Sequence, residues 1–168
     1  MCGLKHFHGE HFQYGVGFHM LDPWYVTGFC DGEAAFTYSR SGGSFGLYFS
    51  ISQREDNQQI IEDIQEYLNY VGTIYRCKEA LPTANSGFTQ PSAYYRVTKI
   101  DELQRVVEHF DKYPLQSKKK HAAYLVWKEM VMHKLEHYRA VDYDTLRSLA
   151  DKLSILNSQS RAFKRHKK

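Results

Sequence analysis

The sequence predicts an α+β domain in which helices cover one face of a four-stranded antiparallel sheet. Three observations predict it. Several short stretches alternate apolar and polar residues with a period of two, which is typical of strands with one packed face. Other stretches repeat apolar residues at helical spacing. The order along the chain is helix, two strands, helix, two strands, helix, and then two more helices, and this order favours an α+β fold.

The size and composition of the chain are those of one globular domain. It has 168 residues, and 42% of them are hydrophobic, so most of the chain can bury a core and is not disordered. We predict a loosely ordered, His- and Gly-rich arm over residues 1–20, a domain over residues 21–160 and a basic tail over residues 161–168. The tail has five Lys or Arg and no acid, a pattern typical of contacts with polyanions.

The cysteine usage indicates a reducing compartment. The three cysteines form no CxxC pair, which argues against a disulfide framework and a zinc finger. No apolar run approaches the ~20 residues of a membrane span, so we expect no membrane partner. We therefore expect an intracellular protein, of a bacterial cytoplasm or of a eukaryotic organelle or nucleus.

Local sequence signals predict where the first helix starts and where the first hairpin turns. Asp22 and Pro23 start the helix, since Asp caps free N–H groups and Pro fits the first turn. The helix is predicted to end at about Cys30. Strands follow over residues 35–40 and 44–53, and Ser-Gly-Gly between them is a turn signal.

The second half repeats this pattern. Apolar residues at helical spacing run from Ile60 to Val71, and Gly72 marks the stop. Strands are predicted over residues 74–78 and 94–98, with a loop rich in Pro, Ser, Thr, Asn and Gly between them. Three helices follow, over about residues 98–113, 117–138 and 142–157.

The most informative stretch is GFCDGEAAF, which begins at Gly28. It places Asp31 and Glu33 around Gly32 where an apolar helix meets an apolar strand. Taken alone, this is ordinary turn chemistry. In the context of the element order, residues 25–33 resemble the signature motif of the LAGLIDADG homing endonucleases. The chain contains one copy of the motif, and the resemblance extends over about residues 20–161.

The resemblance implies an assembly and a metal site. Single-motif members of this family are homodimers, so the motif helices of two copies would pack through Tyr25, Gly28, Phe29 and Gly32. Glu33, aided by the Gly32 carbonyl, would hold Mg²⁺ or Mn²⁺, because hard cations prefer oxygen ligands. Asp31 would be structural. Ala34 stands where the family usually has Gly.

The resemblance also implies three polar residues around the reacting phosphate. Gln53 would position the attacking water. Asn57 would orient water where some relatives have arginine. Lys118 would stabilise charge on the phosphate, with Lys119 as the alternative if the alignment shifts by one residue.

The polar face of the sheet would be the DNA platform. Alternation places polar and aromatic residues on this face, and basic residues lie near it, whereas a slip of one residue would exchange the two faces. The predicted sheet contacts are Thr37, Ser39, Arg40, Tyr48, Ser50, Tyr75, Arg76, Lys78 and Arg96. The predicted contacts to phosphates are Lys119, Lys120, Ser158, Ser160 and Arg161.

The function implied is that of a site-specific, intron-encoded homing endonuclease. A homodimer would bind a long, pseudo-palindromic double-stranded DNA site in the major groove and hydrolyse one phosphodiester in each strand with a divalent metal. Two alternatives keep the same fold: a splicing maturase that binds intron RNA, and a non-catalytic DNA-binding regulator. A histidine-rich metal-binding protein is a fourth hypothesis, supported only by the arm and by the helical pair His133 and His137.

Overall fold

A computed structural model describes residues 20–41, 44–77 and 91–157. The helices are α1 (Pro23–Glu33), α2 (Gln59–Tyr67), α3 (Ile100–Lys112), α4 (Lys118–Glu136) and α5 (Tyr143–Leu156), and the strands are β1 (Ala34–Ser41), β2 (Ser44–Arg54), β3 (Thr73–Cys77) and β4 (Ser92–Val97). A short 3₁₀ turn, Glu55–Asn57, follows β2. The predicted α+β order is confirmed. Within the described ranges, no helix is both long and apolar enough to cross a membrane.

Helix α1 runs further than the sequence predicts. Its predicted end at about Cys30 is wrong, because the helix continues through Asp31 and Gly32 to Glu33. Ala34 then turns to extended backbone (φ −76°, ψ 152°) and donates its N–H to the Cys30 carbonyl. The acidic segment is therefore the last turn of the helix, and strand β1 follows it without a loop.

Helix α2 ends earlier than predicted. It stops at Tyr67, and Asn69 and Tyr70 adopt positive φ angles of 60° and 57°. Gly72 has φ 74°, and a Cβ there would lie 2.6 Å from the Arg96 carbonyl oxygen. Glycine is required here because no side chain fits so close to the neighbouring strand.

The four strands form one antiparallel sheet in the order β1-β2-β4-β3. Ala34 pairs with Ile51, and Ser50 pairs with both Ala35 and Arg96. The apolar positions of β1 and β2 are buried while the alternate positions are not. The predicted register is therefore confirmed for these strands: one face packs on the helices, and the other face is covered by none of the described helices.

The core is centred on aromatic rings between the sheet and helices α3 and α4. Phe36 has ring-centroid distances of 5.5 Å to Phe49 and 5.3 Å each to Phe110, Tyr124 and Trp127. Burial of each such side chain stabilises the fold by about 1.5–3 kcal/mol. This core fixes β1, and with it the end of α1, against the rest of the domain.

A buried polar network ties α1 to α3. The Thr27 hydroxyl donates to the Tyr113 carbonyl at 2.8 Å and lies 3.1 Å from Nε2 of His109, while Nδ1 of His109 lies 3.1 Å from the Tyr67 hydroxyl. Since Thr27 donates its proton to Tyr113, it accepts from Nε2. Burial lowers the pKa of His109 from 6.5 to about 4, so His109 is neutral in the folded protein at pH 7.

We expect His109 to make the fold weaker in acid. Between pH 6.5 and about 4 the unfolded chain takes up a proton at His109 that the folded protein does not. The free energy of unfolding then falls with decreasing pH, by up to about 1.4 kcal/mol per pH unit. Urea unfolding across this range measures the slope. An NMR titration of His109 with a midpoint near pH 6.5 would contradict the expectation.

Candidate nucleic-acid-processing site

The acidic end of α1 lies at one edge of the sheet, beside the end of β2. Because Ala34 pairs with Ile51 in antiparallel strands, Glu33, which precedes Ala34, and Gln53, which follows Ile51, lie at the same edge. The Glu33 side chain is exposed and makes no ion pair or hydrogen bond with the described residues. Gln53 Oε1 accepts a hydrogen bond from Asn57 Nδ2 at 3.1 Å. The structure thus places Gln53 and Asn57 in contact and Glu33 at the same edge of the sheet.

Ala34 occupies the position at which the family motif usually has glycine. Its extended backbone has a negative φ, which any residue adopts. The residue is 4% exposed and belongs to the core. The extra methyl group is therefore accommodated inside the domain rather than at its open edge.

Asp31 connects the end of α1 to the start of α4 by hydrogen bonds. Its Oδ2 accepts hydrogen bonds from the backbone N–H groups of Gln116, at 3.1 Å, and Ser117, at 2.8 Å. Negative charge stabilises a helix N-terminus, so Asp31 has the structural role expected of it. Its Oδ1 is buried and has no hydrogen-bond partner among the described residues.

Lys120, rather than Lys118, lies against the motif helix. Its Nζ donates to the carbonyls of Ala34 at 2.7 Å, Gly32 at 3.2 Å and Cys30 at 3.4 Å. A cation at this position complements the negative end of the helix dipole. Burial nevertheless lowers the pKa of Lys120, against the opposing attraction of Asp31 and other nearby groups. Lys118 and Lys119 are exposed.

Replacement of Lys120 by methionine tests this position. The variant leaves three carbonyls without their charged donor, so we expect the free energy of unfolding to fall by about 1–3 kcal/mol. Urea denaturation measures the loss. Lys118→Met is the matched control and should unfold like the wild type, because Lys118 is exposed. Equal losses in the two variants would contradict the assignment to Lys120.

The oxygen donors at this edge fit a hard cation but form only part of a site. The Glu33 carboxylate and the Gly32 carbonyl are ligands of the type that Mg²⁺ prefers. Among the residues that the structure describes, no group of three or more His, Cys, Asp or Glu could hold a metal ion. His133 and His137 stack with ring centroids 4.3 Å apart, and no described His, Cys, Asp or Glu joins them as a third ligand.

The open face of the sheet carries most of the residues that the sequence placed there. Alternation and strand pairing put six predicted residues on this face: Thr37, Ser39, Tyr48, Ser50, Tyr75 and Arg96. Ser52, Thr73 and Tyr94 share the face and were not predicted. Tyr94 could have been found from its own strand, because it alternates with the buried Ala93 and Tyr95.

Two predicted arginines lie on the helix side of the sheet edges. Arg40 pairs with Asp151 of α5 at 3.4 Å. Arg76 donates to Gln58 at 3.0 Å and lies 3.6 Å from Glu62. Because side chains alternate between the two faces along β1 and β3, these two arginines point away from the open face. The predicted residues Lys78, Ser158, Ser160 and Arg161 lie outside the described residues, as do the arm and the basic tail.

The outer face of α1 is exposed and carries two glycines. Val26, Thr27 and Cys30 point into the core. Tyr25 is 51% exposed. Gly28 and Gly32 are exposed, and apart from the adjoining helix backbone no described atom lies within 4 Å of a Cβ built on either. Phe29 is partly buried, and its ring stacks on that of Tyr25 at 6.5 Å.

The comparisons with known proteins agree with this fold and motif. The sequence model described as LAGLIDADG endonuclease matches residues 26–131, which is more than half of the chain. The chain therefore belongs to the LAGLIDADG endonuclease family. The "uncharacterized 50.9 kDa protein in ND4 intron 1" of Podospora anserina is 30% identical over 121 residues. The match covers 67% of this chain, which spans about a quarter (24%) of that relative.

Solved structures share the architecture. The LAGLIDADG meganuclease I-AabMI, bound to uncleaved DNA, superposes with a TM-score of 0.60 and 26% identity over 84% of this chain and 45% of its own. The homing endonuclease I-TnaI gives a TM-score of 0.61 over 84% of this chain and 99% of its own; at 20% identity it shows the fold alone.

Proposed function

We propose that this chain is a site-specific homing endonuclease that acts as a homodimer. The dimer binds a long, pseudo-palindromic double-stranded DNA site and hydrolyses one phosphodiester in each strand with the aid of a divalent metal. The observation that carries the proposal is the position of Glu33. It is an exposed carboxylate without a hydrogen bond or ion pair to the described residues, at the end of a helix whose outer face carries two exposed glycines.

The two glycines support a second copy as the missing partner. Glycine inside a helix costs roughly 0.5–1 kcal/mol relative to alanine. Nothing in the described chain requires that cost at Gly28 or Gly32, because an added Cβ meets no atom within 4 Å at either position. A close approach by another helix would require it. Two α1 helices packed through these glycines would bring their Glu33 residues together.

A dimer of identical chains predicts a symmetric DNA site. Because a two-fold axis repeats every contact, the DNA site of such a dimer would read nearly alike on its two strands.

Each chain would contribute three kinds of group to hydrolysis. Glu33 would hold a divalent metal, which would stabilise charge on the attacking and leaving oxygens. The Gly32 carbonyl would be a ligand only if Lys120, which donates to it at 3.2 Å in this structure, gave up that bond. Gln53 and Asn57, already hydrogen-bonded to each other, would orient the attacking water. Lys120 would hold the end of α1, and so Glu33, in place by its three bonds to backbone carbonyls.

The open sheet face would contact the DNA. A twisted antiparallel ribbon fits the major groove, where each base pair shows a distinct hydrogen-bond pattern. The exposed ammonium groups of Lys118 and Lys119 would contact phosphates, which contribute affinity and salt dependence rather than sequence information.

A splicing maturase that binds intron RNA is the second candidate. It is favoured by one observation, the match to a protein in ND4 intron 1 of Podospora anserina. The non-catalytic regulator has less support, because the chain retains Glu33, Gln53 and a lysine beside the motif.

Cleavage selection tests the proposal. Purified protein and Mg²⁺ are incubated with a library of candidate intron-insertion sequences, and cut molecules are recovered. We expect one enriched, nearly symmetric site cut on both strands. Binding to DNA without cutting would favour the regulator. Binding to a structured intron RNA without DNA selectivity would favour the maturase.

A further inference from the structure

Arg96 lies on the open sheet face between two tyrosine rings. Its guanidinium carbon is 4.5 Å from the ring centroid of Tyr48 and 5.2 Å from that of Tyr94. The ring of Tyr94 stacks in turn on that of Tyr75, with centroids 5.0 Å apart and planes at 19°. These four side chains, which come from three neighbouring strands, are called the Arg96 cluster below.

The cation of this cluster has no acidic partner among the described residues. Arg40 and Arg76 pair with carboxylates, whereas Arg96 makes no ion pair or hydrogen bond through its side chain within the described ranges. Its Nε is buried and has no hydrogen-bond partner there. Aromatic faces stabilise the positive charge but accept no ordinary hydrogen bonds. The terminal N–H groups are therefore available to an acceptor outside the chain.

The cluster also limits the motion of the guanidinium. The guanidinium is a planar fork that matches pairs of acceptors, and it stacks on aromatic faces without losing its charge. Held between Tyr48 and Tyr94, it has fewer orientations to lose on binding, so less entropy opposes the contact. Ser50 and Thr73 flank Arg96 on the neighbouring strands, and neither side chain offers a competing charge.

We propose that Arg96 specifies a guanine at one position of each DNA half-site, by donating two hydrogen bonds to its N7 and O6 atoms. This inference rests on the proposed DNA-binding function. Guanine presents two adjacent acceptors in the major groove, while adenine replaces one of them with a donor. A phosphate would also accept from the fork, but it would give no preference for a base.

Binding selection with the non-cutting variant Glu33→Gln tests the proposal. We expect one guanine in each half-site, at symmetric positions. Adding Arg96→Gln should lower affinity for that site on the order of tenfold to a hundredfold. It should lower affinity far less for sites that lack this guanine. Replacing the guanine by 7-deazaguanine, which lacks N7, should weaken binding only when Arg96 is present.

Arg40→Gln is the matched control, because Arg40 is paired with Asp151 on the other side of the sheet; it should keep the guanine preference. Arg96→Lys, which keeps the charge without the fork, should lose most of it. If Arg96→Gln lowered the binding affinity equally for all DNA sequences, Arg96 would contact a phosphate, and the proposal would be overturned. A guanine preference that survives Arg96→Gln would overturn it while leaving the proposed function intact. Absence of selective DNA binding would overturn both.

Discussion

Replacing Glu33 by glutamine is expected to abolish DNA cleavage while leaving DNA binding intact. The substitution removes the charge that would hold the metal and changes the side-chain shape very little. A metal ion in such a site stabilises the transition state by several kcal/mol, and about 1.4 kcal/mol corresponds to a tenfold change in rate. We therefore expect a loss of roughly a thousandfold or more in single-turnover cleavage of the selected site.

The variant separates chemistry from folding. Glu33 is exposed and has no hydrogen bond to the described residues, so the free energy of unfolding should change by no more than about 0.5 kcal/mol. Glu129→Gln is the matched control, since Glu129 is exposed on α4 about 13 Å along the helix from Lys120. A Glu33→Gln protein that cuts at the wild-type rate would exclude Glu33 from the reaction.

If the chain forms the proposed dimer, replacing Gly28 by leucine is expected to convert it into a stable monomer. The side chain would stand where the second helix packs, and overpacking costs about 1–3 kcal/mol at each of two equivalent positions. We therefore expect the dissociation constant of the dimer to rise roughly a hundredfold or more. Analytical ultracentrifugation measures this change, and cleavage should be lost with the dimer.

The same change should not harm the fold of one chain. A Cβ at Gly28 meets no atom within 4 Å, and leucine favours the helix over glycine by up to about 1 kcal/mol. The dilute monomer should therefore unfold at the same or a higher urea concentration. Ser148→Leu, which adds the same side chain at an exposed position of α5, should leave the dimer intact. A Gly28→Leu protein that remains dimeric would place the interface elsewhere.

The sequence predicted the sheet well because its signals are local. Strict alternation in β1 and β2 indicated which residues face the core, and the buried positions of these strands agree. The end of α1 was harder to predict. The predicted end at about Cys30 was too early, because Asp31 and Lys120 join the last turn to α4 through residues 85 or more positions apart in the sequence.

The choice among the three lysines could not be made from the sequence either. Lys118, Lys119 and Lys120 are adjacent at the start of α4, where cations are unfavourable. Only the angle between α4 and α1 decides which ammonium group reaches the carbonyls of the motif helix. The Arg96 cluster was missed for a similar reason, since it joins residues that are close only after β2 and β4 pair.

The central claim is that two chains each supply one Glu33 to a shared centre, and a single-chain fusion tests it most directly. Two copies joined by a flexible Gly/Ser linker form one molecule, in which one copy or both can carry Glu33→Gln. At concentrations too low for fusions to pair, the fusion of two wild-type copies should cut both strands of the selected site. The fusion with one altered copy should make no double-strand break. If that fusion cuts both strands as fast as the wild-type fusion, one chain holds a complete active site and the claim is wrong.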